Sequence, residues 1–172
     1  MDLVRYAEGT GNEFDYEYQG SWQYRDYLVR AFNADLPYDR FVRELIAGDL
    51  LPPRVDAEGR NEALIATTWW NLGEAATSPV DIANDEAERL DNRSDVLGKT
   101  FNALTLGCAR CHDHKFDPVS MREYYGLYGI IAASPTTRRW SNQAVFADTA
   151  KKTRRWAHAG VRRHTQTSGR GH

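Results

Sequence analysis

Two cysteines and a histidine share five consecutive positions, Cys108-Ala-Arg-Cys111-His112, and the 172-residue chain has no other cysteine. Thiols two residues apart can anchor a prosthetic group, grip a metal, cycle as a redox dithiol or lie inert. With a histidine directly after the second thiol, the run is the attachment motif of haem c. Two thioether bonds then join the sulfurs to the vinyl groups on one porphyrin edge, and the neighbouring imidazole is held beneath the iron as its proximal ligand. Such a tether lets a small, loop-rich domain keep a cofactor that packing alone would not retain. Cys108 and Cys111 are therefore the expected haem anchors and His112 the expected iron ligand.

Other chemistries remain open at this point. A zinc or iron site could draw on Cys108, Cys111 and His112 or His114. Four-ligand zinc sites usually take two pairs from well-separated segments, and no second Cys or His pair occurs before residue 135. A thioredoxin-like dithiol needs a preceding strand in a βαβ setting. Met121 is a candidate sixth iron ligand, or a packing residue in the first turn of the next helix. Asp113, His114, Lys115 and Asp117 follow the motif. They could orient haem propionates or the proximal imidazole, or form a solvated loop ended by Asp117-Pro118. His114 lies too close to His112 to reach the opposite haem face. It is expected to meet solvent, a propionate or another supporting group.

The elements that must position these residues read as helices. Tyr24, Tyr27, Leu28, Ala31 and Phe32 follow helical spacing from Trp22 to about Asn33, with Ser21 as N-cap. A second helix runs from about Asp39 to Ala47 and stops at Gly48. A third opens at Asn61 or Glu62 and runs to Leu72, before Gly73. The longest pattern extends from Ala83 to Leu106 on a stripe of Leu90, Leu97, Phe101 and Leu104, with Gly107 breaking it just before Cys108. Its acidic start, Asp85 to Asp95, reads as support for the helix dipole. Ser120-Met-Arg-Glu123 is a capping box for a final helix bearing Met121, Tyr124, Tyr125, Leu127, Tyr128 and Ile131, which Pro135 ends. Leu3–Ala7 reads as the end of a helix, Glu8–Gly20 as a loop, and 51–60 as a linker. No strand pattern stands out. The expectation is a mainly α fold, an irregular multi-helix bundle with long loops and the haem motif at a helix end.

Composition narrows the classes further. With 41% hydrophobic and 12% aromatic residues, the chain is too apolar to be wholly disordered. No window approaches the ~20 apolar residues of a membrane span. The net charge of −2 conceals a division. From Arg138 onward there are nine basic residues and one acid, +8, against −10 for the preceding 137. An acidic body has no general affinity for nucleic acid, which needs clustered Lys and Arg. The basic segment could contact nucleic acid or anionic lipid, but it lacks an apolar period and reads as a solvated extension.

The run Gly107-Cys-Ala-Arg-Cys-His-Asp-His-Lys-Phe-Asp-Pro118 resembles the signature of the planctomycete-specific cytochrome c-like domain. That family is of unknown function and is abundant in large exported planctomycete proteins. Trp22–Asn33, Leu36–Glu44 and Ile46–Leu51 are similar to its early block, Asp85–Asn92 to its middle block, and Tyr124–Tyr128 to the block after the haem motif. The resemblance covers residues 2–133. It implies covalent haem c, an extracytoplasmic location in the periplasm or at the cell surface, and further domains in the parent chain. It supplies no substrate. Domains of this family begin further upstream, behind an export signal, so Met1 is read as an internal start. The organisation expected is a helical domain over 1–135 and a basic, non-family segment over 136–172.

The leading functional reading is a haem c-binding electron-transfer or redox module with a redox partner of unknown identity, more a binding domain than an enzyme by itself. A rival is a non-haem metal-dependent enzyme module built from His112, His114, Asp113 and the acidic stretch Asp81–Asp95. Another is a non-catalytic interaction scaffold using its five Trp and nine Tyr. Because residues 138–172 carry charge without an apolar face, deleting them should leave far-UV circular dichroism and the thermal midpoint unchanged. A clear fall in the midpoint would show that this segment packs.

Overall fold

Apolar spacing sets the helices of this chain, which a computed structural model describes over residues 1–11, 15–18, 20–73 and 78–134. The expectations for the basic segment and for a stop at Pro135 lie outside the described residues. Within them the chain gathers into two compact units, one of residues 1–18 and 69–134, the other of residues 20–68.

The second unit is built from three helices. Helix α1, Trp22–Asn33, buries Tyr24, Tyr27, Leu28 and Ala31. Ser21 stands at its N-cap position but makes no side-chain cap bond, because its backbone is already helical at φ −55°, ψ −32°. Helix α2, Tyr38–Ala47, ends at Gly48. That glycine is required by close approach, since a Cβ there would lie 1.7 Å from the Ala63 carbonyl oxygen. Helix α3, Glu62–Ala66, is buried at all five positions and is capped by Asn61, whose side chain accepts from the Ala63 amide. The expected continuation to Leu72 changes to a 3₁₀ turn, Thr67–Asn71. Its first two hydroxyls bond back to the carbonyls of Leu64 and Ile65 at 2.8 and 2.7 Å. Such back-bonding competes with regular helix.

One buried acid organises this unit. Glu44 is fully buried. It accepts from Arg40 at 2.9 Å, from Arg54 at 3.0 and 2.8 Å, and from the Tyr27 hydroxyl at 3.1 Å. Burial alone would push its pKa up, but the hydrogen bonds from Arg54 and Arg40 prevail and hold it below the ordinary carboxylate value. Tyr27 is pushed up by burial and by the Glu44 charge.

The first unit begins not with the end of an α-helix but with a 3₁₀ turn, Asp2–Val4, which Arg5 ends in the left-handed conformation at φ 57°. Helix α4, Ile82–Leu97, is capped by Asp81 through the Asn84 amide and buries Leu90, Ser94 and Val96. It stops nine residues before the expected end. A π turn, Gly98–Asn102, and a left-handed Ala103 at φ 57° fold the chain back. A 3₁₀ turn, Leu106–Arg110, follows. Gly98 is the reason: a Cβ there would sit 2.5 Å from the Leu106 side chain and 2.9 Å from the Leu104 carbonyl. Phe101 and Leu104 are consequently half-buried in the reversal rather than part of one helical stripe. Phe101 packs on Trp69, with ring centroids 6.0 Å apart.

Helix α5, Met121–Ala133, starts at the full capping box of Ser120 and Glu123. Tyr124 and Ile131 are buried, Leu127 and Tyr128 half-buried, and Met121 and Tyr125 exposed. Leu106, Ala109 and Tyr124 form a small core, flanked by Leu104, Val119, Leu127 and Tyr128. Among the described residues there is no strand, only the isolated bridges Gly9–Glu17 and Val55–Asn61. No helix among them is long and apolar enough to cross a membrane.

Glu44→Ala should strand Arg54 and Tyr27 and lower stability by about 2–4 kcal/mol. This lies toward the low side of the range for buried pairs because both arginines are about a third exposed. The depressed pKa means that the Glu44 contribution is present above the unfolded carboxylate pKa and fades as pH falls through the folded value. Urea unfolding of Glu44→Gln should therefore show a shallower loss of stability in acid than the parent; parallel acid profiles would contradict this role.

Candidate functional site

The 3₁₀ turn Leu106–Arg110 holds most of the motif, and its facing explains which side chains are offered outward. Leu106 and Ala109 point into the small core, Ala109 with no exposed surface. Arg110 pairs with Asp91 of α4, Nη1 to Oδ2, at 3.1 Å. The other oxygen of Asp91 accepts the Tyr124 hydroxyl of α5, and the Tyr125 hydroxyl donates to the Arg110 carbonyl at 3.1 Å. The Asp91 charge and hydrogen bond raise the Arg110 pKa, while burial and the bond to Asp91 push Tyr124 up. The two residues between the cysteines are thus fastened from both sides. Cys108, Cys111 and His112 are left exposed, with both thiols free. The motif lies on its own turn, separated from α4 by the reversal at Gly98, and not at the end of a long helix.

The two histidines differ in what their ring nitrogens do. His112 Nδ1 lies 2.7 Å from the Asp113 carbonyl oxygen. A carbonyl only accepts, so Nδ1 carries the proton and the Nε2 lone pair of the neutral ring is available. This is the tautomer that a metal-binding histidine adopts when a backbone carbonyl orients it. His114 has both nitrogens engaged. The amides of Phe116 and Asp117 donate to its Nδ1 at 3.2 and 2.8 Å. Its Nε2 therefore carries the proton and donates to Thr105 Oγ1 at 3.0 Å. Its side chain is only 7% exposed, so it serves as the post that shapes the loop.

The remaining expected residues fall around that loop. Asp113 contributes its carbonyl to His112 and its carboxylate to the Met121 amide, 2.8 Å away. Asp117 holds His114 through its amide, with a carboxylate oxygen 3.5 Å from His114 Nε2. Met121 sits at the first position of α5 with a 41% exposed side chain. Thr105, which accepts from His114, also lies 4.0 Å from Cys108 Sγ. Among the described residues no three His, Cys, Asp or Glu side chains are grouped to hold a metal ion. His114 could join one only by giving up the two amide hydrogen bonds at Nδ1 or the Thr105 bond at Nε2.

Residues 1–136 match the family described as PSCyt2, a protein of unknown function (DUF1549). The chain belongs to that family. No curated protein and no solved structure matches it. In this PSCyt2 chain the motif turn and its supports, Asp91 to Tyr125, all fall inside the matched span.

Sequence reasoning missed Asp91 and Thr105. Asp91 sits in an acidic run that reads as dipole support, and its partners lie 19 and 33 residues away. The one available signal was an arginine between the cysteines, a long cation next to a core-facing Ala109. Asp91→Ala should lower stability by about 1–3 kcal/mol, because Arg110 and the Tyr124 hydroxyl lose a charged partner. Tyr124→Phe should cost about 1 kcal/mol. Chemical denaturation of the single and double variants checks both, and strict additivity of the two would contradict a shared carboxylate.

Proposed function

We propose that this chain is a haem c-binding redox module, most simply an electron-transfer domain, of an exported multidomain protein. Cys108 and Cys111 would form the thioether bonds, and His112 would supply the proximal nitrogen. The observation that carries the reading is the pairing of two free, exposed thiols with a His112 ring whose Nδ1 is held by the Asp113 carbonyl. These donors suit the group: the sulfurs are accessible, and Nε2 is oriented with its lone pair unspent. Haem, when bound, supplies reversible one-electron chemistry.

The rest of the chain's part is positional. Asp91 and the Ala109 contact fix the spacing of the two sulfurs. The Asp113 carbonyl sets the His112 tautomer and strengthens its donor nitrogen. His114 keeps the following loop folded through Thr105 and two amides, a loop-shaping role that falls to neither solvent nor iron. Met121 remains the candidate sixth ligand from the first turn of α5. The similarity of Gly107–Pro118 to planctomycete cytochrome c-like domains supports the same cofactor and an extracytoplasmic setting, where thioether attachment is carried out. The electron partner would be another domain of the parent chain or a separate redox protein.

The test is the absorption spectrum of the full chain matured in a periplasm with a cytochrome c assembly system. The parent should show a c-type reduced α-band and keep its colour through denaturing electrophoresis. The double variant Cys108→Ala, Cys111→Ala should lose it. His112→Ala should retain attached haem with an altered spin state, while His114→Ala should lower stability and leave ligation unchanged. A spin-state change in His114→Ala but not in His112→Ala would overturn the assigned roles. A colourless parent holding stoichiometric zinc, lost in both histidine variants, would select the non-haem metal site.

A further inference from the structure

The loop that leaves His112 is closed on itself. The His114 amide donates to the Val119 carbonyl at 2.8 Å, and the Val119 amide to the Asp117 carbonyl at 2.7 Å. Inside the loop the His114 ring accepts from the amides of Phe116 and Asp117 and is pinned to Thr105. The Asp113 carboxylate ties the start of the loop to the first amide of α5. The backbone of Phe116 is thus fixed near the tip, yet its side chain is 82% exposed. Lys115 Nζ stands over the ring, 5.0 Å from its centroid.

A single exposed apolar ring needs no special explanation. This one differs in where it is held and how firmly. A ring on a preordered backbone loses little entropy when something covers it. Four residues separate Phe116 from His112, about 14 Å of chain even if fully extended, and the closed loop makes the separation shorter. A porphyrin joined to Cys108 and Cys111, with its iron on His112, cannot leave that neighbourhood, because its attachment is covalent. An aromatic ring laid on the macrocycle buries apolar area on both sides. The Lys115 ammonium beside it complements the negative charge of the haem propionates.

We infer that Phe116 is the aromatic floor of the haem site, its ring packing against the macrocycle on the His112 side and shielding it from water. Phe116 takes this role only if the chain carries haem c as proposed above. Solvent exposure helps to set a haem potential, because water favours the more highly charged ferric form. Covering one face with an apolar ring therefore raises the potential.

The test compares the full chain with and without haem, from hosts with and without a cytochrome c assembly system. In the haem-free chain Phe116→Ala should leave the thermal midpoint at the parent's value. In the haem-loaded chain the same variant should keep its haem through denaturing electrophoresis, shift the reduction potential downward and change the Soret circular dichroism. Phe116→Leu, which restores apolar bulk without the aromatic ring, should recover most of the potential but not the Soret signal. A haem-loaded Phe116→Ala with the parent's potential and Soret signal would overturn the role while leaving the haem reading intact, and would free the ring for a partner protein. A lowered midpoint in haem-free Phe116→Ala would also overturn it, by showing that the ring packs on the chain itself. A parent chain that takes up no haem would overturn both readings at the earlier step.

Discussion

The carboxylate of Asp91 is the constraint on which the motif depends. One oxygen holds Arg110, the other takes the Tyr124 hydroxyl, and so the turn between the cysteines is tied to α4 and α5 at once. A five-residue 3₁₀ turn has little stability of its own, because its hydrogen bonds are poorly aligned. Ala109 in the core and Arg110 on Asp91 supply what the turn lacks. With those two residues turned inward, the residues flanking them, Cys108, Cys111 and His112, are turned out. The exposure of both thiols thus follows from the packing of the residues between them.

The loop after the motif works by a complementary division of labour. His114 uses both ring nitrogens to hold backbone and Thr105, and its neighbour His112 uses only Nδ1. Two imidazoles two residues apart therefore have different chemistry available to them. One is spent on structure, and the other is bonded at Nδ1 alone. Asp113 joins the two tasks, orienting His112 with its carbonyl and seating α5 with its carboxylate.

Local signals in the sequence reported local structure well. The span of α1 and the Ser120–Glu123 box at the head of α5 depend on near neighbours, and both were legible; the stop at Gly48 was legible too, although its approach to Ala63 was not. Features set by tertiary approach were not. The end of α4 is dictated by Gly98 meeting Leu106 and Leu104, and an unbroken apolar stripe to Leu104 gave no hint of it. The same holds for the 3₁₀ turn after Ala66, set by two threonine hydroxyls. At the candidate site, Cys108, Cys111 and His112 were singled out by spacing alone. Asp91 was not, since an acid in the first half of a helix has an ordinary explanation and its partners are distant in sequence. The placement of His114 was half legible: a supporting partner was among the expectations, but its burial against Thr105 required the folded loop.

The central claim is that the turn holding Cys108 and Cys111 is built to present both sulfurs and the His112 ring to one prosthetic group. Intact-mass and peptide mass spectrometry of the full chain, matured in a host with periplasmic cytochrome c assembly, tests it most directly. The account predicts a mass increased by one haem, with the addition confined to the peptide spanning Cys108 to His112 and neither thiol open to alkylation. An unmodified chain from the same cells, with both thiols freely alkylated, would contradict it.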